Sequence, residues 1–96
     1  MREIRKRPLA LRDLNHIWRY TFDRWSKTQA DRYLLSLDDA IQQLATQPET
    51  GRSLDTIRPG YRSIQVGRHI VFYTFTDDAL SIRRVLHERM DVGRHL

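Results

Sequence analysis

Residues 86–91 read LHERMD, which crowds His87, Glu88, Arg89 and Asp91 into six positions. Those side chains could hold a metal, move a proton or grip an anion. Metal binding fits the spacing poorly. Adjacent ligands on a strand point to opposite faces, and the chain has no H-x-x-x-H pair to add to them. His16, His69 and His95 stand at no ligand-like spacing from the cluster. Without cysteine there is no thiolate zinc site, no cysteine nucleophile and no disulfide scaffold. Ser26, Ser36, Ser53, Ser63 and Ser81 lie in no G-x-S-x-G elbow and beside no histidine. The glycines at 51, 60, 67 and 93 occur singly, so none builds a phosphate-cradling loop. Acid–base ribonuclease chemistry is the enzymatic option that survives. It needs a base for the 2′-hydroxyl, an acid for the leaving oxygen and a cation for the phosphorane charge. His87, Glu88, Arg62, Arg83 and Arg89 have suitable types. The competing reading gives these arginines surface ion pairs of little energetic weight.

Positioning these side chains falls to a helical half and a strand-rich half. Residues 2–7 (REIRKR) set Ile4 among charges, the pattern of a short strand at a sheet edge. Pro8 can open a helix, on which Leu14, Ile17, Trp18, Thr21, Phe22 and Trp25 recur as one inward stripe. On that stripe Trp18, Phe22 and Trp25 read as core in preference to base-stacking platforms. Ser26 and Gln29 fit a capping box that starts a second helix with Ala30, Tyr33, Leu34, Leu37, Ile41, Leu44 and Ala45 on one face. So short a join predicts an antiparallel hairpin, ended by Pro48 and Gly51. The period then changes to two, with strands expected over 61–66, 69–75 and 80–86. Gly67-Arg68 and Asp77-Asp78 supply the turns of an antiparallel meander.

Counting by twos assigns Ile64, Val66, Val71, Tyr73, Phe75, Leu80, Ile82 and Leu86 to the helix-facing side. Arg84 falls on that side too, which predicts a bulge or an edge there. The other face then carries Tyr61, Ser63, Ile70, Phe72, Thr74, Arg83, Val85 and His87. No second helical layer is available to cover it, so it is expected to be open for binding. The product is an α+β fold: a short N-terminal strand and an antiparallel helical hairpin packed on a twisted antiparallel β-sheet.

A chain of 96 residues corresponds to one domain, residues 1–96. Its 40% apolar and 30% charged composition suits a folded soluble protein and excludes a disordered one. No apolar run approaches the roughly 20 residues of a membrane span, and residues 1–11 lack the features of a signal peptide. A cytoplasmic protein is expected. Lys and Arg exceed Asp and Glu by 17 to 12, and the net charge of +5 favours anionic partners.

The segments DLNHIWRY (13–20), RW (24–25), QADRYLLSL (29–37), GYR (60–62), HIVFY (69–73) and RVLHERMD (84–91), in that order, resemble the ParE toxins. These form part of the RelE/ParE superfamily of type II toxin–antitoxin systems. The resemblance implies the hairpin-on-sheet fold, and a ParD-like antitoxin whose acidic, amphipathic C-terminal segment folds over the toxin. It also implies one of two activities. RelE-like members cut mRNA on the ribosome, whereas ParE-like members poison DNA gyrase without chemistry of their own. RNA-cutting relatives carry an arginine just before the strand motif that corresponds to VFYTF (71–75), and Ile70 stands there. Their later histidine–tyrosine or arginine–tyrosine positions hold Glu88 and Arg89, and no tyrosine follows Tyr73. The reading favoured is therefore a gyrase poison with no catalytic residue, cofactor or metal, and the alternative is a ribosome-dependent endoribonuclease of the RelE type. Arg62, Arg83, His87, Arg89, Met90 and Asp91 are the candidate gyrase-contacting residues. Trp18, Tyr20, Trp25, Tyr33 and Phe72 are the candidate antitoxin anchors. A toxin–antitoxin hetero-oligomer is implied, with no sequence-specific nucleic-acid binding.

Overall fold

The computed structural model describes residues 2–96. Helix α1 (Pro8–Arg24) begins on Pro8, whose missing N–H falls where a helix start leaves donors unpaired. Helix α2 (Lys27–Thr46) follows Ser26, whose Oγ accepts the Gln29 N–H at 3.1 Å, the Ser26 half of the expected capping box. Only Trp25 and Ser26 separate the helices, so they fold back as a hairpin, and a 3-10 turn at Pro48–Thr50 closes it.

Strands β1 (Glu3–Lys6), β2 (Arg52–Ser53), β3 (Arg62–Val66), β4 (His69–Phe75) and β5 (Ala79–His87) form one sheet in the order β1-β5-β4-β3-β2. The meander β3-β4-β5 is antiparallel, as its turn signals require. Gly67 adopts φ 58° as the first turn residue, a conformation costly for any side chain, and a Cβ there would also come within 2.9 Å of the Tyr33 ring. Strand β1 takes the expected edge but departs from a wholly antiparallel sheet. Glu3–Lys6 run parallel to Ala79–Ile82, so the sheet is mixed. Parallel neighbours need a long crossover, and here both helices and the first strands of the meander intervene.

Helices and sheet enclose Ile17, Leu37, Ile41, Leu44, Val71, Tyr73, Leu80, Ile82 and Val85. Burial of each such aliphatic side chain stabilises by roughly 1.5–3 kcal/mol. The Tyr73 hydroxyl reaches out of this core and donates to the Pro48 carbonyl, which joins the sheet to the end of the hairpin. The predicted stripe on α1 holds only in part. Ile17 is buried and Leu14, Trp18 and Thr21 are half-buried, but Phe22 and Trp25 are exposed. Trp25 is the helix C-cap, with φ −126° and ψ −85°, so helical spacing no longer directs its side chain.

An irregularity in β5 reorganises the far end of the sheet. Tyr73 stands opposite Ile82 but Phe72 stands opposite Arg84, leaving Arg83 as the extra residue of a bulge. The bulge expected near Arg84 is thus present, yet its effect on the residues that follow corrects the period-two assignment. Val85 enters the helix-facing core and Leu86 turns to the opposite side. His87 moves to the helix side, across from His69. That opposite side is not open at its centre either. The loop around Leu54 and the short helix α3 (Val92–His95) pack over Phe72 and Leu86, flanked by Tyr61, Ile70 and Leu96. Burying two large apolar side chains on the second face is what draws the loop and C-terminal turn onto it.

Candidate functional site

Strand β5 outruns β1, whose pairing stops at Lys6 opposite Ile82. Helix α1 crosses the freed edge and supplies Asp13 in place of a strand. Asp13 Oδ2 accepts the Val85 N–H at 3.0 Å and Arg84 Nε at 2.7 Å, while Oδ1 accepts Arg84 Nη2 at 2.9 Å. Arg84 Nη1 also donates to the His95 carbonyl at 3.2 Å, so one ion pair ties α1, β5 and α3 together. Asp13 holds the Arg84 guanidinium still more firmly protonated than usual.

Beyond this tie, α1 and the sheet diverge into a cleft with two lobes. The inner lobe, about 410 Å³, is mostly apolar, with Ile17, Val85 and Met90 on its walls. The outer lobe, about 490 Å³, is basic and aromatic, with Arg24, Arg68 and Arg89 beside Trp25 and Tyr33. Tyr20, His69 and His87 line both. The two histidines are cross-strand partners, their rings edge to face with centroids 5.3 Å apart.

Each group in the divide is held by a specific bond. His87 Nδ1 accepts the Arg89 N–H at 3.1 Å, which shapes the turn after β5. His69 Nδ1 lies 2.6 Å from the Tyr33 hydroxyl, which also accepts the Arg68 N–H and lies 3.2 Å from the Val66 carbonyl. One hydroxyl proton serves either Val66 or His69, so the Tyr33 rotor and the His69 tautomer are coupled. Burial, reinforced by His87, lowers the pKa of His69 despite the opposing charge of Glu88. Burial likewise raises that of Tyr33. At neutral pH His69 and Tyr33 are therefore held in their neutral forms, and the arginines stand around them. Glu88 accepts from Gln65 at 2.8 Å and from Arg68 at 3.3 Å, and these two contacts depress its pKa.

The candidate residues separate on this map. His87, Arg89 and Met90 enter the cleft, as do Tyr20, Trp25 and Tyr33. Arg62 instead donates to the Gly51 carbonyl at 2.9 Å, and Arg83 donates to Thr74 Oγ1 at 3.0 Å while lying over Tyr61. Asp91 caps α3 by accepting the Gly93 N–H at 3.0 Å. Trp18 stacks on Phe22 and donates Nε1–H to Asp31 at 3.0 Å. Phe72 is only 2% exposed, sealed in the second cluster, and offers no surface to a partner. The LHERMD side chains thus diverge: Glu88 turns to Arg68, Asp91 to its own helix and His87 to His69. Among the described residues no group of three or more metal-ligating side chains converges. Ile70 packs against the cluster of Leu54, Phe72 and Leu86.

Sequence reasoning missed Asp13, Arg24, Arg68 and His69. A signal for His69 did exist, because its strand and that of His87 are joined by a tight turn, but the bulge hides their pairing. Arg68 was visible only as a turn residue, and Asp13 as one polar residue on a helix.

Residues 4–92 match the family profile described as ParE toxin of type II toxin-antitoxin system, parDE. The chain is 47% identical over 90 residues to toxin ParE1 of Mycobacterium tuberculosis, covering 93% of this chain and 92% of that one. It is 38% identical over 87 residues to toxin ParE1 of Caulobacter vibrioides, covering 91% and 90%. Among solved structures it is similar to a chain of the chromosomal ParDE system from P. aeruginosa, at a TM-score of 0.77 and 15% identity over 91% of this chain and 96% of that one. That likeness concerns the fold.

Proposed function

Because this chain belongs to the ParE toxin family of type II toxin–antitoxin systems, we propose that it traps DNA gyrase on cleaved DNA and is neutralised by a ParD-like antitoxin. The family match over residues 4–92 carries the reading. The toxin acts in the cytoplasm without a catalytic step of its own. Support for the non-catalytic part comes from Ile70, an apolar side chain packed where an RNA-cutting relative needs a cation, and from the two histidines, whose Nδ1 atoms are engaged internally.

Of the residues first considered for gyrase contact, His87, Arg89 and Met90 are the ones this reading retains, since they share the cleft. Arg62, Arg83 and Asp91 are engaged in internal bonds and hold shape. An amphipathic antitoxin segment laid against Tyr20, Trp25 and Tyr33 would fill the same cleft, so neutralisation works by occlusion. The charge of the toxin favours an acidic segment there.

The test incubates purified protein with gyrase and supercoiled plasmid, then digests the protein and looks for linear DNA. Linear DNA should appear only when gyrase and toxin are both present, and Arg89→Ala should lower its yield. No effect on gyrase, with cuts at codon positions in translated mRNA, would overturn the proposal in favour of the RelE-type activity.

A further inference from the structure

The outer lobe has a chemistry that toxin packing leaves unused. Trp25, the C-cap of α1, is 71% exposed, and Tyr20, just before the last turn of the helix, is 61% exposed. Arg24 lies over the Tyr20 ring, 5.5 Å from its centroid. Arg68 on the β3–β4 turn and Arg89 after β5 face the same lobe, and no carboxylate lines it among the described residues. Every cation here is an arginine. Its planar guanidinium pairs with phosphate and also stacks on flat rings, which a lysine does not do.

We propose that this lobe binds single-stranded nucleic acid without regard to sequence, with Arg24, Arg68 and Arg89 on the phosphates and Trp25 and Tyr20 stacking on bases. Exposed aromatic rings interleaved with cations are the pattern of a stacking platform set in an electrostatic groove. A peptide of Asp and Glu alone, lacking the apolar face of an amphipathic antitoxin segment, would satisfy the arginines but would leave the two ring faces unmatched. A duplex would satisfy the phosphates but keeps its bases inaccessible to rings that need an unstacked partner. The arginine at 68 is partly occupied, because Glu88 approaches it at 3.3 Å, although its side chain stays largely exposed. Glu88 thus tempers the site, and its removal should strengthen binding. This inference goes beyond the gyrase reading and is tested without gyrase.

The measurement is fluorescence anisotropy of a labelled oligothymidylate of about 16 nucleotides, titrated with the full chain between about 50 and 200 mM salt. Three phosphate contacts predict a slope of log affinity against log salt near −2, from about −0.7 per contact on a single strand. Trp25→Ala should weaken binding between about fivefold and a hundredfold, the loss of one base stack. Arg24→Ala and Arg89→Ala should each flatten the slope by about 0.7. Glu88→Gln should tighten binding, a gain that misfolding cannot produce. Circular dichroism confirms that each variant is folded. Salt-dependent binding with the Trp25→Ala loss and the Glu88→Gln gain supports the proposal. No binding, a Trp25→Ala variant that binds like the parent, a duplex bound as tightly as the single strand, or an Asp/Glu-rich peptide of equal charge bound as tightly would each overturn it.

Discussion

Removing the Asp13 carboxylate should destabilise the protein far more than removing any other acidic side chain in an ion pair. Asp13→Ala strips Arg84 of both charged contacts and leaves the Val85 N–H without its acceptor. The side chains of Asp13 and Arg84 are 13% and 17% exposed, so water replaces the lost partner only in part. Loss of one member of a buried pair costs about 3–5 kcal/mol, and the residual exposure places this case near about 3. Set against a total of about 5–15 kcal/mol for a small protein, that is a large share. Lys27 and Asp31 approach to 2.8 Å, almost as close as the 2.7 Å of Arg84 and Asp13, yet that pair is mostly exposed and should matter little. Burial and the fork of bonds make the difference, not distance. Urea denaturation followed by tryptophan fluorescence should show a lower midpoint with an unchanged slope, and melting should fall by about 4–8 °C per kcal/mol. The double variant Asp13→Ala/Arg84→Ala should recover part of the loss, since no lone buried charge remains. A coupling below about 0.5 kcal/mol in that cycle would refute the argument that this pair, and not the α1 packing around it, fastens the edge of β5.

Gly51→Ala should cost at least about 1–3 kcal/mol, because the new Cβ would sit 2.0 Å from the Tyr73 hydroxyl oxygen and 2.8 Å from the ring. The backbone at Gly51, with φ −72°, would accept alanine, so Gly51→Ala/Tyr73→Phe should be milder than the sum of its parts by thermal denaturation. Ser26→Ala removes the acceptor for the Gln29 N–H and should lower stability by about 1 kcal/mol, readable as a shift in urea midpoint. His69 binds its proton less readily folded than unfolded, so the unfolded chain holds the extra proton as pH falls below the ordinary 6.5. Stability should therefore drop on acidification from about pH 7 downward, until the lowered folded pKa is passed, and His69→Gln should flatten that gradient by no more than about 1.4 kcal/mol per pH unit. An identical pH profile in the variant would show that His69 is not responsible.

The helical hairpin was legible because its signals are local. Pro8, Ser26 and Pro48 act through backbone geometry within a few residues, and the Ala30–Ala45 stripe repeats for long enough to fix one face. The meander was legible for the same reason, since Gly67 and Asp77-Asp78 mark its turns. The direction of β1 was not, because four residues of strand carry no information about which strand they will join. Nor was the covering of Phe72. Leu54, Val92 and Leu96 lie far from it in sequence, and only the folded sheet brings them over it. Trp25 shows the limit of periodicity itself: it keeps the spacing of the stripe but sits one residue past the last helical turn.

The candidate site depended on one residue that no local rule would locate. Counting outward from the Phe75–Leu80 pair in an unbroken ladder places Leu86, not His87, opposite His69. With Arg83 extruded, the count slips by one and every later side chain of β5 changes face. Val85 then fills the core that Leu86 would have filled, so the helix side still receives an aliphatic residue and the slip costs little packing. Leu86 is equally well used beside Phe72. Both registers thus satisfy the hydrophobic pattern, which is why the sequence alone does not choose between them. The choice is made by Asp13, since only in the bulged register does the Val85 N–H meet its carboxylate while Arg84 wraps the strand edge to complete the pair. A structural ion pair on α1 therefore decides whether His87 looks outward from the sheet or into the cleft beside His69, where the turn that carries Arg89 and Met90 follows it.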